Sequence, residues 1–200
     1  RRRRSGTPGV ILRRFMKDVV LPVAVAIALA FLIQAAVAKP YEIPTPSMVP
    51  TIKEGDRVIA NRLIYKFRDL ERGDIIVFNP TRAARVSCDS SNPDDTTPFV
   101  KRVIGLPGDT VVIEAGKREV TINGAPFDVP AAAPNPGQGT SGALARNTFT
   151  VPADKIFVLG DNRPNSCDSH QWSDPFVPLD SVIGQAEVTY WPIRHVTFLR

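Results

Sequence analysis

A serine held between prolines is the first candidate for chemistry in this sequence. Ser47 lies in the segment 44–51, whose three prolines restrict the backbone to an extended path. A nucleophile gains from such placement, because a fixed orientation removes part of the barrier to attack. A proline-rich linker explains the same composition, so this segment alone leaves both interpretations open.

Two adjacent cations interrupt an apolar segment further along the chain. Lys101 and Arg102 lie within residues 99–106, and the alternation of side chains along a strand directs them to opposite faces. A lysine on the buried face loses its charge through desolvation, and a pKa lowered by about three units, or about 4 kcal/mol, makes it a usable base. An edge strand that carries two solvated cations is the alternative.

A polar loop supplies the third group of candidate residues. Residues 159–170 contain two carboxylates, Asp161 and Asp168, together with two serine hydroxyl groups. Loops of this kind often hold functional groups, although a simple turn or a cation site built from Asp161, Asn162 and Asp168 also fits. The two histidines of the chain are 25 residues apart and lack a matching ligand pattern, so we predict no metal ion and no cofactor.

The charge of the chain is divided unevenly along its length. The 200 residues together carry a formal charge of +5. Residues 1–38 hold seven cations and one anion, a net charge of +6, whereas residues 39–200 hold 18 cations and 19 anions, a net charge of −1. Because nucleic-acid binding needs a basic patch within the folded part, the sequence predicts no nucleic-acid partner.

Residues 19–38 form a run of 20 residues without a charge. As a helix, which rises about 1.5 Å per residue, this run reaches about 30 Å, the thickness of the hydrocarbon core of a bilayer. The sequence therefore predicts a transmembrane helix over 19–38, and the cations of the tail 1–18 place the N-terminus in the cytoplasm. A cleavable signal peptide is the alternative, because residues 36–38 read Ala-Val-Ala.

Residues 39–200 are predicted to form one extracytoplasmic domain that is mainly antiparallel β. Seventeen of the 19 prolines follow Ala38, which disfavours long helices, and the apolar runs are short and β-branched. Two turn signals indicate hairpins, one at residues 115–118 and one at Asn123-Gly124. The stretch 126–146 is rich in Pro, Gly and Ala, which is typical of a flexible loop.

Together the three segments resemble those of the bacterial type I signal peptidases, a family with a serine–lysine dyad. Residues 46–51 (Pro-Ser-Met-Val-Pro-Thr), 101–109 (Lys-Arg-Val-Ile-Gly-Leu-Pro-Gly-Asp) and 160–169 occur in the family's order behind an apolar N-terminal run. The resemblance extends from residue 19 to about residue 177. It implies a membrane-anchored serine endopeptidase of the signal-peptidase fold. Its substrates would be exported precursor proteins, cut after small residues at positions −1 and −3 of the signal peptide.

The resemblance also implies roles for individual residues. Ser47 would attack the scissile carbonyl, and Lys101 would take the serine proton as a neutral amine. Thr45 would donate to the oxyanion, and Ser166 would orient Lys101 through a hydrogen bond. Asp161 and Asp168 would support the loop, and Arg102 would point away from the pocket. Met48 and Phe99 would line the substrate pocket.

Two positions depart from the pattern that is usual in the family. His170 stands where the family usually has an arginine that pairs with the loop's second aspartate, Asp168. Cys167 stands where a small residue such as alanine is common. A disulfide bond to Cys88 would attach this loop near the strand of Lys101. Disulfides persist outside the cytoplasm, and two free thiols are the alternative.

Two other functions fit parts of the sequence. A serine–lysine autoprotease of the SOS-repressor type shares the dyad but has a DNA-binding segment in place of the apolar run. A membrane-anchored β domain that binds exported precursors without cleaving them would need neither Ser47 nor Lys101. The lipid bilayer is a predicted partner of the peptidase and of this binding domain.

Overall fold

The computed structural model describes residues 16–114, 116–129, 132–133 and 148–199. The chain divides into two compact units, Arg1–Ala38 and Lys39–Arg200. In the first unit a π-helical turn, Met16–Val20, leads into helix α1, Leu21–Val37. Strand β1, Ala38–Glu42, begins at the last residue of this unit, and its other four residues belong to the second.

Helix α1 is shorter than the helix predicted over 19–38. It has 17 residues, because the chain before Leu21 winds as a π-helix and the chain after Val37 is extended. Among the described residues, no helix is both long enough and apolar enough to cross a membrane. The predicted 20-residue transmembrane helix is therefore not observed.

The second unit is built on a sheet of eight strands. The order is β1-β2-β11-β3-β4-β9-β10, with β12 paired to β11, and the pairings from β2 to β10 are antiparallel. These strands are β2 Arg57–Asn61, β3 Ile75–Phe78, β4 Phe99–Gly105, β9 Lys155–Leu159, β10 Val177–Pro178, β11 Val182–Trp191 and β12 Thr197–Phe198. The prediction of a mainly antiparallel β fold is confirmed.

Strand β4 lies inside this sheet, between β3 and β9. Lys101 is paired with Ile76 of β3, and Arg102 is paired with Leu159 of β9. Val100, Val103 and Ile104 flank the two cations and favour a strand, since β-branched side chains pack well on a pleated surface. The alternative of an edge strand with solvated cations is wrong, because Lys101 is 5% and Arg102 4% exposed.

A smaller sheet contains the hairpins that the turn signals predict. Its order is β7-β6-β5-β8, formed by β5 Thr110–Ile113, β6 Val120–Ile122, β7 Ala125–Phe127 and β8 Thr148–Thr150. Asn123 and Gly124 have φ angles of 52° and 83°, the left-handed conformation that a two-residue hairpin turn needs. The predicted loop 126–146 begins later than expected, because β7 includes its first two residues, and residues 130–131 and 134–146 lie outside the described ranges.

A short α-helix connects β3 to β4 and contributes to the site. Helix α2, Arg82–Cys88, starts at Thr81, whose hydroxyl oxygen accepts a hydrogen bond from Ala84 N at 3.1 Å. Ala84 is fully buried in a cluster with Phe78 and Trp172, so the helix packs on the sheet through this face. Residues 89–98 then lead from the helix into β4, beside Lys101.

Candidate active site

Ser47 and Lys101 meet in the structure although 54 positions separate them in the sequence. Ser47 is the middle residue of the 3-10 turn Pro46–Met48, and Lys101 lies on β4. Ser47 Oγ and Lys101 Nζ are 2.8 Å apart, and both side chains are buried. At this distance a neutral amine can take the proton of the serine hydroxyl.

The surroundings of Lys101 favour its neutral form. Burial lowers the pKa of Lys101 from its ordinary value of 10.5 to about 8. The carboxylates of Asp168 and Asp161 raise this pKa, but they do not offset the loss of hydration. About a tenth of the Lys101 side chains are therefore neutral at pH 7, compared with a few in ten thousand for a solvated lysine.

Thr45 lies beside the serine, at the residue before the 3-10 turn. Its Oγ1 donates to Ser47 Oγ at 3.2 Å. The backbone of Thr45 is extended, with φ −132° and ψ 152°, whereas the next three residues are helical, so the chain bends between the two hydroxyl groups. A hydroxyl donor this close to a nucleophile can also reach the oxygen of a carbonyl that the nucleophile attacks.

The loop after β9 is attached to β4 by a buried ion pair. Arg102 donates from Nε to Asp161 Oδ1 at 2.8 Å and from a second guanidinium nitrogen to Oδ2 at 2.7 Å. Thr51 Oγ1 also donates to Asp161 Oδ2, which adds a contact from the segment that follows the serine. Arg102 takes no part in lining the cavity beside Lys101, in agreement with the predicted alternation of the two cations.

Asn162 attaches the same loop to the backbone of the serine turn. Asn162 N donates to Ser47 O, and its side-chain amide donates to Pro46 O, both at 3.0 Å. These bonds fix the turn from the carbonyl side and leave the Ser47 hydroxyl directed toward Lys101. From the sequence Asn162 was only a candidate ligand of the alternative cation site; the signal for its bonds to the serine turn is an asparagine in a tight loop, a residue type that often bonds to backbone.

A cavity of about 440 Å³ borders the serine and the lysine. Its walls come from the serine segment, the start of β4, the loop after β9, and helix α2 with residues 89–98. Phe99 lines the cavity as expected. Met48 does not line this cavity; it is fully buried in a core cluster with Ile52 and Val58. Successive side chains of a 3-10 turn point about 120° apart, so Ser47 and Met48 leave the turn in different directions.

A disulfide bond joins Cys88 to Cys167, with Cα atoms 5.6 Å apart. Cys88 ends helix α2, and Cys167 directly precedes Asp168 in the loop after β9. Trp172 Nε1 donates to Cys88 Sγ at 3.1 Å, which adds a contact from the same loop region. The bond therefore fastens the helical wall of the cavity to the loop that contains the two aspartates.

The family model described as "Signal peptidase, peptidase S26" matches residues 16–191. The chain belongs to the signal peptidase family. It is 40% identical to Signal peptidase I of Leptolyngbya laminosa over 174 residues, which cover 87% of this chain and 79% of the relative. It is 42% identical to Probable signal peptidase I-2 of Synechocystis sp., also over 174 residues, covering 87% and 72%. Signal peptidase I S of Bacillus subtilis is 32% identical over 179 residues, covering 87% and 88%.

Ser166 differs from the arrangement predicted for a signal peptidase. Its Oγ is buried and makes no hydrogen bond to Lys101, whereas its hydroxyl acts on the Asp168 carboxylate and helps to lower the pKa of that group. A Cβ atom placed on Gly160 would lie 2.1 Å from Ser166 Oγ, which shows that the hydroxyl occupies the space beside the glycine. The 3-10 turn Arg163–Asn165 ends at Ser166 and brings it against this glycine.

Asp168 and His170 form the contact that the resemblance assigns to an aspartate and an arginine. Asp168 Oδ1 contacts His170 Nδ1, and Asp168 Oδ2 accepts from Gly160 N at 2.8 Å. Burial alone raises the pKa of Asp168, but the charge and hydrogen bond of His170 and the bond from Gly160 hold it below its usual range. The aspartate thus stays ionised and fixes the end of β9 in this signal peptidase.

Breaking the ion pair between Arg102 and Asp161 is expected to destabilise the protein by about 3–5 kcal/mol, because one buried charge is left without a partner. Chemical denaturation of Arg102→Met and of Asp161→Asn measures the loss in free energy of unfolding. Arg118→Met is the matched control, since its pair with Asp128 is 41% and 39% exposed. We expect that control to lose less than about 1 kcal/mol, and equal losses at the two pairs would contradict the prediction.

Proposed function

We propose that this protein is a serine endopeptidase that removes signal peptides from exported precursor proteins with a Ser47–Lys101 dyad. The distance of 2.8 Å between Lys101 Nζ and Ser47 Oγ carries the proposal. Relatives named signal peptidase I, which align with 87% of this chain, support the substrate class.

The first half of the reaction cleaves the peptide bond. Ser47 Oγ attacks the carbonyl carbon while the neutral Lys101 amine takes the hydroxyl proton. The Thr45 hydroxyl and Ser47 N–H donate to the oxygen on which negative charge develops, and donors of this kind are worth about 3–4 kcal/mol each. Collapse of the tetrahedral intermediate breaks the C–N bond, and Lys101 passes its proton to the leaving amine, which becomes the N-terminus of the mature protein.

The second half of the reaction releases the signal peptide. Lys101, neutral again, takes a proton from a water molecule that attacks the ester carbonyl on Ser47. Collapse of the second intermediate breaks the ester bond, and Lys101 returns the proton to Ser47 Oγ. The signal peptide leaves with a free carboxylate, and the dyad is restored.

The walls of the cavity support a preference for small apolar residues next to the cleaved bond. Ile43, Phe99 and Val100 contribute apolar surface beside Ser47. A synthetic precursor with Ala-x-Ala before the cleavage site tests the proposal, with product masses as the measurement. We expect one cut after the second alanine, and a slower cut by about tenfold or more when that alanine is replaced by leucine. Cleavage elsewhere, or none, would contradict the proposed function.

We also propose that residues 19–38 attach the protein to a lipid bilayer, with the tail 1–18 cytoplasmic and the peptidase unit extracytoplasmic. The run is uncharged and the tail before it is basic, as the positive-inside rule requires. In the first unit Leu21, Val23 and Ile27 are 52–58% exposed, and apolar surface in water costs about 25 cal/mol per Å². In the second unit Ile193 and Phe198 add exposed apolar side chains.

Flotation of the full chain with lipid vesicles tests this attachment. We expect the wild type to float and a Val23→Asp/Ile27→Asp variant to stay at the bottom, since an aspartate costs about 2.5–3.5 kcal/mol within the apolar core of a bilayer. The variant is expected to cleave a soluble peptide at the wild-type rate. Leu179→Asp, at an exposed leucine of the second unit, is the matched control and should float. Equal flotation of the double variant and the wild type would contradict the proposal.

A further inference from the structure

Arg85 is a buried cation in the wall of the active-site cavity. It lies on helix α2, its side chain is 7% exposed, and it lines the cavity that borders Ser47 and Lys101. One guanidinium nitrogen donates to Asp95 Oδ2 at 3.1 Å and another donates to Thr97 O. Its Nε is buried without a partner among the described residues. Because burying a charged donor in this way is costly, a solvated helix face does not explain the residue.

The guanidinium group packs on a ring that also contacts the proposed general base. Arg85 Cζ is 4.6 Å from the centroid of the Phe99 ring, and Lys101 Nζ is 5.6 Å from the same centroid. Phe99 and Lys101 are two positions apart on β4, so their side chains leave the strand on the same face. The Phe99 ring is therefore the wall next to the amine, and Arg85 packs on that wall.

The ring also contacts two other aromatic side chains. Phe78 and Trp172 touch Phe99 in edge and tilted orientations, with centroids 6.1 and 6.4 Å away. Asp95, the partner of Arg85, also accepts from Thr97 N at 2.9 Å and from Thr97 Oγ1 at 2.8 Å. Arg85 and Asp95 together thus hold residues 95–97, which lead directly into the start of β4.

The charged groups around Lys101 come from two other parts of the fold: residues 89–98, whose Asp89 and Asp95 line the same cavity, and the loop after β9. Asp161 and Asp168 of the loop after β9 act on the amine as carboxylates. They are themselves held by Arg102 and His170, and Arg163 of the same loop also acts on both carboxylates. Arg85 bonds instead to Asp95 and Thr97, and it reaches the amine through the Phe99 ring.

We infer that Arg85 is a positioning residue for the general base, because its packing on Phe99 holds the ring against Lys101 and keeps water from the amine. The inference rests on the proposed Ser47–Lys101 dyad. Loss of Arg85 loosens the ring and the residues before it, so water reaches the amine and favours its charged form. A residue that only stabilised helix α2 would leave the protonation of Lys101 unchanged.

The test is the pH dependence of kcat/KM for the synthetic precursor, measured on the full chain with Arg85→Met. We expect the midpoint of the acid limb to move up by about 0.5–1 pH unit, which lowers cleavage at pH 7 by about 3- to 10-fold and leaves cleavage at pH 10 unchanged. An unchanged midpoint overturns the inference, whether kcat/KM falls equally at every pH or does not fall.

Three further variants complete the experiment. Arg85→Lys keeps the charge but loses the planar surface, so we expect a smaller shift of the midpoint in the same direction. If Arg85→Met does not fold, Arg85→Lys takes its place. An unchanged midpoint in Arg85→Lys overturns the inference. Arg118→Met is the control and should keep the wild-type midpoint, whereas a shift equal to that of the Arg85 variants overturns the inference.

Lys101→Met separates the claim that Ser47 and Lys101 form the dyad from the claim that Arg85 positions the base. If it cleaves like the wild type, the dyad is wrong; if it is inactive and the Arg85 variants keep the midpoint, only the inference fails.

Discussion

Lys101→Met is expected to lower kcat/KM for the synthetic precursor by about 10³-fold or more. Methionine fills a similar volume but cannot take the proton of Ser47, whose Oγ lies 2.8 Å from the lysine nitrogen. Losing the base leaves a neutral alcohol, which is a weak nucleophile at neutral pH. Initial rates of product formation, followed by mass spectrometry, measure the loss.

Two matched variants make this result specific to the base. Lys101→Arg keeps a cation but stays protonated at every accessible pH, so we expect it to be as inactive as Lys101→Met. Lys155→Met removes a lysine that is 27% exposed and pairs with Asp174 at 3.1 Å, and we expect it to keep wild-type rates. Activity within about tenfold of the wild type in both Lys101 variants would contradict the assignment of the base.

The second large effect is the pH dependence of the wild type. Burial lowers the pKa of Lys101 to about 8, and only the neutral amine accepts a proton. Cleavage should therefore rise with pH, pass a midpoint near 8 and level off above it. At pH 6 about one lysine in a hundred is neutral, so kcat/KM should be about 100-fold below its plateau.

The pH profile needs a control for unfolding. Circular dichroism over the same pH range shows whether the fold is retained where activity is lost. A flat profile between pH 6 and 9, or a midpoint near the ordinary lysine value of 10.5, would contradict a desolvated base. A loss of ellipticity that parallels the loss of activity would show that the profile reports unfolding, and the midpoint would then be read only over the pH range in which the fold is retained.

Local signals were sufficient to predict the hairpins and the alternation of the two cations. The Asn-Gly turn at 123–124 needs a left-handed backbone, and few other residue pairs supply one. Lys101 and Arg102 point to opposite faces of β4 because a strand alternates, whatever lies around it. The three segments of the candidate site were recognisable only together, since each one alone also fits a linker, an edge strand or a turn.

Local sequence patterns did not predict the contacts between segments that are distant in the chain. Met48 enters the core because residues 46–48 form a 3-10 turn, and prolines alone indicate only an extended chain. Ser166 fills the space beside Gly160 instead of reaching Lys101, a choice set by the packing of the whole loop. Arg85 was not selected, because its proximity to Phe99 depends on how helix α2 packs against β4.

Cleavage of the Ala-x-Ala precursor by Ser47→Ala tests the central claim most directly, with Ser91→Ala as the matched control at an exposed serine. Product masses are compared for equal amounts of folded protein at pH 9, where most Lys101 side chains are neutral. We predict that Ser91→Ala yields the wild-type fragments at the wild-type rate and that Ser47→Ala yields them about 10³-fold more slowly or not at all. The same fragments from Ser47→Ala at a rate within about tenfold of the wild type would contradict Ser47 as the nucleophile.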